Sequence, residues 1–266
     1  MVDDPDLLTG LLGDLDAEQA ALDRAVADLD GSGWDAATPA AGWDVRDTVA
    51  HLAVSEELAR VALTDEDAFA ARLADLVVDF DATEAALTEQ GRSIPGPEVL
   101  AWWRKARAGT LDALRDRDAR DRVPWIAGPM SVLSFATARL METWAHGEDV
   151  RDALGIPSEA TARLRHVADL GVRTRPFAYT VRGRTMPDTA MRVELAGPDG
   201  AKWTWGDEAT ADVVRGSALE FCRVVTQRRH PDDTSLEVRG DAARDWISIA
   251  QAFAGPPTEQ RPPAAP

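Results

Sequence analysis

Residues 141–150 read METWAHGEDV, and how this stretch is read decides the first half of the chain. Glu142 and His146 stand four positions apart among the apolar residues Met141, Trp144 and Ala145. On a helix, that spacing puts both side chains on one face with Cβ atoms about 5–6 Å apart, close enough to share one ion. The surrounding run, SVLSFATARLMETWAHGEDVRDALG over 131–155, keeps helical periodicity and stops at Gly155, so a long helix is expected here. VPWIAGPM over 123–130, punctuated by proline and glycine, reads as the connection leading into it.

The same periodicity recurs upstream. LLTGLLGDLDAEQAALDRAVADLD over 7–30 is one amphipathic helix, closed by Gly31 and Gly33 of GSGW. A second helix begins at Asp44, which stands where an N-cap belongs, with Asp47 placed over the helix N-terminus and His51 in the second turn. A third begins near Glu98, just after Pro97. Residues 65–90 are also helix-prone and read as an excursion between the second and third. Four long helices predict a bundle over residues 1–155.

Beyond residue 155 the composition changes. A helical stretch over 158–175 is followed by MRVELAGPDGAKWTWGD over 191–207, two alternating runs around GPDG, which is a hairpin signal. ATADVVRGSALEFCRVVTQRR over 209–229 reads as helical, TSLEVRG over 234–240 as a strand and DAARDWISIAQAF over 241–253 as a last helix. The expectation is a two-domain α+β protein: a helical bundle over 1–155, a small α/β domain over 156–256, and a disordered Pro/Ala-rich tail over 257–266.

Composition narrows the partners. The 266 residues carry 46 acidic and 29 basic side chains, a net charge of -17, with no basic stripe to attract a phosphate backbone or an anionic lipid surface. Nucleic acid and membrane are therefore not expected as partners, and a cytoplasmic location is the default reading. The one cysteine, Cys222, excludes an internal disulfide and reads as a buried small hydrophobe.

Of the four histidines, His166 and His230 read as surface residues, whereas His51 and His146 sit in bundle helices beside large apolar residues. His51, Glu142 and His146 make a two-imidazole, one-carboxylate set with coordination positions left over, the pattern of a catalytic zinc site. Asp149, one turn beyond His146, is placed to hold its other ring nitrogen. Equally, Glu142 could be a salt-bridged face residue and His146 a half-buried imidazole. Arg46 and Arg139 near the ligand helices, and Arg223, Arg228 and Arg229 in FCRVVTQRR, are the candidate clamps for an anionic substrate. The tryptophans Trp34, Trp43, Trp102, Trp103, Trp125 and Trp144 read as core or rim filling.

Taken together, GWDVRDTVAHL, METWAHGEDVRDALG and the later VELAGPDGAKWTWGD resemble the mycothiol-dependent maleylpyruvate isomerase family, from about residue 7 to residue 254. The resemblance implies a DinB-like metal-binding four-helix bundle followed by a sterol-carrier-like α/β domain. It also implies His51, Glu142 and His146 as ligands of a divalent metal, zinc by default, with mycothiol as the thiol cosubstrate. A small electrophile would be isomerised or take up the thiol. Other readings from the same site are an enzyme whose metal binds its substrate directly, and a non-catalytic metal- or small-ligand-binding protein.

Overall fold

The structure, a computed structural model, describes residues 5–78, 89–126 and 128–263, and the chain forms two compact units, 1–158 and 159–266. In the first unit the long helices are α1 (Pro5–Val26), α3 (Val45–Thr64), α5 (Gly96–Arg115) and α6 (Val132–Leu154), with α2 (Gly31–Trp34) and α4 (Glu66–Val78) between them. Both α1 and α3 pack on α5 and on α6, which closes a four-helix ring.

Directions within the ring follow from its cross-links. Thr110 Oγ1 donates to the Glu56 carbonyl oxygen and Arg117 Nη1 to that of Leu63, so α3 and α5 advance together. Arg139 meets Ser55 while the later His146 faces the earlier His51, so α6 runs against α3. The chain between α3 and α5, which includes α4, is therefore a crossover; residues 79–88 of the helix-prone stretch lie outside the described residues. Leu15, Leu22, Leu52, Trp103, Leu140 and Val150 are fully buried where the four helices meet. Each such aliphatic side chain contributes about 1.5–3 kcal/mol by leaving water.

Two helix ends place the later site. Asp44 accepts from Asp47 N at 2.7 Å while the Asp47 carboxylate accepts from Asp44 N at 3.2 Å, a reciprocal cap that fixes where α3 starts. At the other end of the pair, Gly155 closes α6 in the left-handed region at φ 65°.

Three local expectations are corrected. GSGW does not merely stop α1; it forms the single-turn α2, because the Asp30 carboxylate accepts from Gly33 N at 2.9 Å and Ser32 Oγ at 2.7 Å. The connection over 123–130 is bracketed by a ribbon of two residues a side, β1 (Arg122–Val123) antiparallel to β2 (Met130–Ser131). In the stretch 209–229, residues Asp212–Ser217 are a strand, and the helix begins only at Ala218.

The second unit holds a four-stranded sheet of β3 (Met191–Ala196), β4 (Lys202–Trp205), β5 (Asp212–Ser217) and β6 (Glu237–Arg239), in the order β4-β3-β5-β6. Strands β3 and β5 are parallel and the outer pairings antiparallel. The register gathers Val193, Leu195, Trp203 and Val214 on the buried face, and Glu194, Arg215 and Glu237 in an ionic ladder on the other. Helices α9 (Ala218–Val225) and α10 (Asp241–Ile249) pack on the sheet, while α7 (Leu164–Arg173) packs on α9 and α8 (Arg175–Thr180) on α10. Cys222 is buried, as expected of a small hydrophobe, with its thiol 3.5 Å from the Leu164 carbonyl oxygen. The tail expected to be loose from residue 257 is instead held at its start: Thr258 Oγ1 donates to Gln227 Oε1 at 2.7 Å and Gln260 Nε2 to the Ala250 carbonyl at 3.3 Å.

Candidate metal centre

His51 leaves the second turn of α3, while Glu142 and His146 leave successive turns of α6. Glu142 Oε2 lies 3.8 Å from His51 Nε2 and 3.5 Å from His146 Nε2, and one donor atom from each residue falls within 4.8 Å of the other two. Tetrahedral ligands about 2.1 Å from an ion stand roughly 3.4 Å apart, so the three side chains fit a shared divalent ion after small adjustments. Among the described residues, no other three His, Cys, Asp or Glu donors gather in this way. The side chains are 34%, 18% and 13% exposed for His51, Glu142 and His146, so the cluster opens to solvent at its His51 rim.

The electrostatics suit ligation. Burial alone would push the Glu142 carboxyl up, but the neighbouring imidazoles of His146 and His51 and the charge of Arg139 outweigh it and hold Glu142 well below the usual carboxylate range. Burial pushes His51 below its ordinary 6.5, against the pull of Glu142, so its ring is neutral at physiological pH and offers a lone pair. Asp149 is fully buried, with Oδ2 3.6 Å from His146 Nδ1. The carboxylate therefore sits beside one ring nitrogen while the other faces Glu142.

Trp43 is the neighbour that spacing alone did not single out. Its half-buried indole lies 5.0 Å from the His51 ring and nearly parallel to the His146 ring at 6.0 Å, forming a wall beside both. The loop carrying it is held by Thr38 N donating to the Trp43 carbonyl at 2.8 Å and by Arg92, which spans the Gly42 carbonyl and the Asp47 carboxylate. By contrast Trp34, Trp103, Trp125 and Trp144 are buried in the core.

The candidate clamps fare differently. Arg46, in the first turn of α3, is tied to Asp35. Arg139 is brought next to the triad but is 3% exposed, built into the bundle interior with Nη1 on Ser55 Oγ. Arg223 lies in the last turn of α9, and Arg228 in the turn after it with Nη1 on the Thr226 carbonyl at 2.7 Å, both in the second unit. Residues that the sequence reading passed over lie one turn below the triad. The fully buried Glu56 accepts from Gln19 Nε2 at 3.4 Å, and its other oxygen makes no hydrogen bond among the described residues.

Fold and site together define a two-domain α+β protein whose helical unit gathers a potential metal triad. The family model of the mycothiol maleylpyruvate isomerase N-terminal domain matches residues 15–151. Two uncharacterized proteins of Mycobacterium tuberculosis, from strains CDC 1551 and H37Rv, are each 43% identical over 256 residues, 94% of this chain and 97% of theirs. Crystal structures of the mycothiol-dependent maleylpyruvate isomerase and of a histidine-to-alanine mutant of it share the fold, with TM-scores of 0.54 and 0.56 at 16% and 14% identity. Each likeness covers 83% of this chain and 89% of the other. The chain belongs to the mycothiol maleylpyruvate isomerase N-terminal domain family.

Proposed function

We propose that the protein is a metal-dependent enzyme that uses mycothiol to isomerise a small electrophile or to transfer the thiol onto it, with His51, Glu142 and His146 holding the metal. The observation that carries this reading is the convergence of two imidazole nitrogens and an ionised carboxylate at a partly open rim. Its fold likeness to the mycothiol-dependent maleylpyruvate isomerase supports the choice of thiol. A divalent ion at such a site favours thiolate over thiol, and hence bonding of that sulfur to an electrophilic carbon, reversibly in an isomerase and durably in a transferase.

The chain's own residues prepare the site. Glu142 stays ionised without needing a proton removed, and His51 is already neutral, so ligation displaces little. The Asp149 carboxylate lies 3.6 Å from the far nitrogen of His146, where its charge favours a proton on Nδ1 and so a lone pair on Nε2 for the shared ion. The Trp43 indole lies along one side of the imidazole pair. Elemental analysis of the purified protein should find about one divalent metal per chain, as for a single closed ligand set. The content should collapse in His51→Ala and in His146→Ala, and metal retained by both variants would sink the assignment. Loss of maleylpyruvate, or of a bimane electrophile, should require both metal and mycothiol; a metal-loaded protein that binds mycothiol without turnover would instead be a binding module.

A further inference from the structure

Among the described residues, Arg139 is a buried cation with no ion pair within 4.0 Å. It is 3% exposed, its Nε is buried without a hydrogen bond, and among the described residues no carboxylate oxygen lies within 4.0 Å of its guanidinium. Its contacts are neutral: Ser55 Oγ on Nη1, the Trp125 ring with centroid 4.9 Å away and the Phe135 ring at 5.9 Å. A guanidinium taken out of water is costly unless a counter-charge answers it. Cation–π contact with two rings answers only part of that cost.

The carboxylates of Glu142 and Glu56 answer this charge only through space. Arg139 precedes Glu142 by one turn on α6, and its partner Ser55 follows His51 by one turn on α3, so the guanidinium forms the layer directly beneath the triad. Glu56, also nearby, is held by Gln19 and makes no ion pair with the guanidinium among the described residues. Two neutral imidazoles and one carboxylate around a divalent ion carry a single positive charge; Asp149 offsets it and Arg139 restores it. The centre is left one negative charge short.

We propose that Arg139 biases the metal centre toward anionic ligands, of the thiolate or carboxylate class, by acting through space on the coordination positions that the protein leaves open. This rests on the metal reading given above. At separations of about one to two helical turns and an effective dielectric of about 20, one unit charge changes the affinity for an anion by a factor of about 10–100.

The test uses full-length protein loaded with Co2+, followed by visible absorption and titrated separately with azide, an anion, and imidazole, a neutral ligand. Arg139→Met should weaken azide binding about 10–100-fold and leave imidazole binding unchanged, whereas Arg139→Lys should keep the wild-type ratio of the two. Wild-type azide affinity in the Met variant, or equal loss of both ligands, would overturn the proposal. If the Met variant does not fold, the Lys variant decides: a folded, Co2+-loaded Lys protein that has lost the preference for azide overturns it as well. Wild-type protein that gives no Co2+ spectrum before any ligand is added overturns the metal reading itself, and this inference with it.

Discussion

Glu56 is a carboxyl with almost no water around it, held by a long hydrogen bond from Gln19 and exposed to the like charge of Glu142. Burial raises its pKa above the ordinary 4.5, against the pull of Arg139. The sign of the linkage follows. An unfolded chain releases this proton near 4.5 while the folded protein keeps it to higher pH, so the Glu56 contribution to stability falls as pH rises beyond 4.5. Glu56→Gln removes that fall while keeping an oxygen to accept from Gln19. In metal-depleted protein, urea denaturation should show the variant gaining stability on wild type as pH rises from 5 to 8. An equal difference at both pH values would mean that Glu56 does not titrate in this way. The residue scale is also where the sequence was most and least informative. His51, Glu142 and His146 were legible because helical spacing is fixed and histidines are scarce in this chain. Glu56 and Arg139 were not, since their depth comes from how four helices meet. Trp43 reads from sequence only as core or rim filling, because its ring position depends on a loop with no periodicity.

Among the elements, legibility tracks local chemistry. The start of α3 was readable because Asp44 and Asp47 are spaced for a cap, and the end of α6 because Gly155 is a helix stop. Strand β5 was read as helix because Val213 and Val214 run straight into the apolar helix that follows, and its pairing with β3 is with residues about 20 positions away. The β1–β2 ribbon escaped for a similar reason, two residues a side being too short for alternation to show. One contact between elements was also invisible: an added Cβ at Gly96, the first residue of α5, would come within 2.2 Å of the Trp34 indole, which is itself 2% exposed. Helix propensity favours alanine over glycine by about 1 kcal/mol in a helix interior, whereas overpacking a buried tryptophan costs about 1–3 kcal/mol. Gly96→Ala should therefore lower stability by up to about 2 kcal/mol in urea denaturation, and a more stable variant would show that the Trp34 pocket gives way.

At the scale of the whole molecule, the chain is two compact units, and the candidate ligands all belong to the one spanning residues 1–158. Each unit has a core of its own, Leu22, Val49 and Trp103 in the first and Val214, Phe221 and Trp246 in the second. A ligand that binds only folded protein stabilises whichever cooperative unit carries its site, by about 2.7 kcal/mol at a hundred times its Kd. For a unit of this size each kcal/mol moves the midpoint by about 2–4 °C, so a saturating divalent metal should raise one transition by about 5–11 °C. The expected calorimetric trace has two transitions, with added Zn2+ moving the one that belongs to the bundle and leaving the other in place. In His146→Ala neither should move, because the remaining two donors lose most of the affinity. Both transitions shifting together by the same amount would mean that the two units unfold as one, and a shift that survives His146→Ala would place the metal somewhere other than the triad.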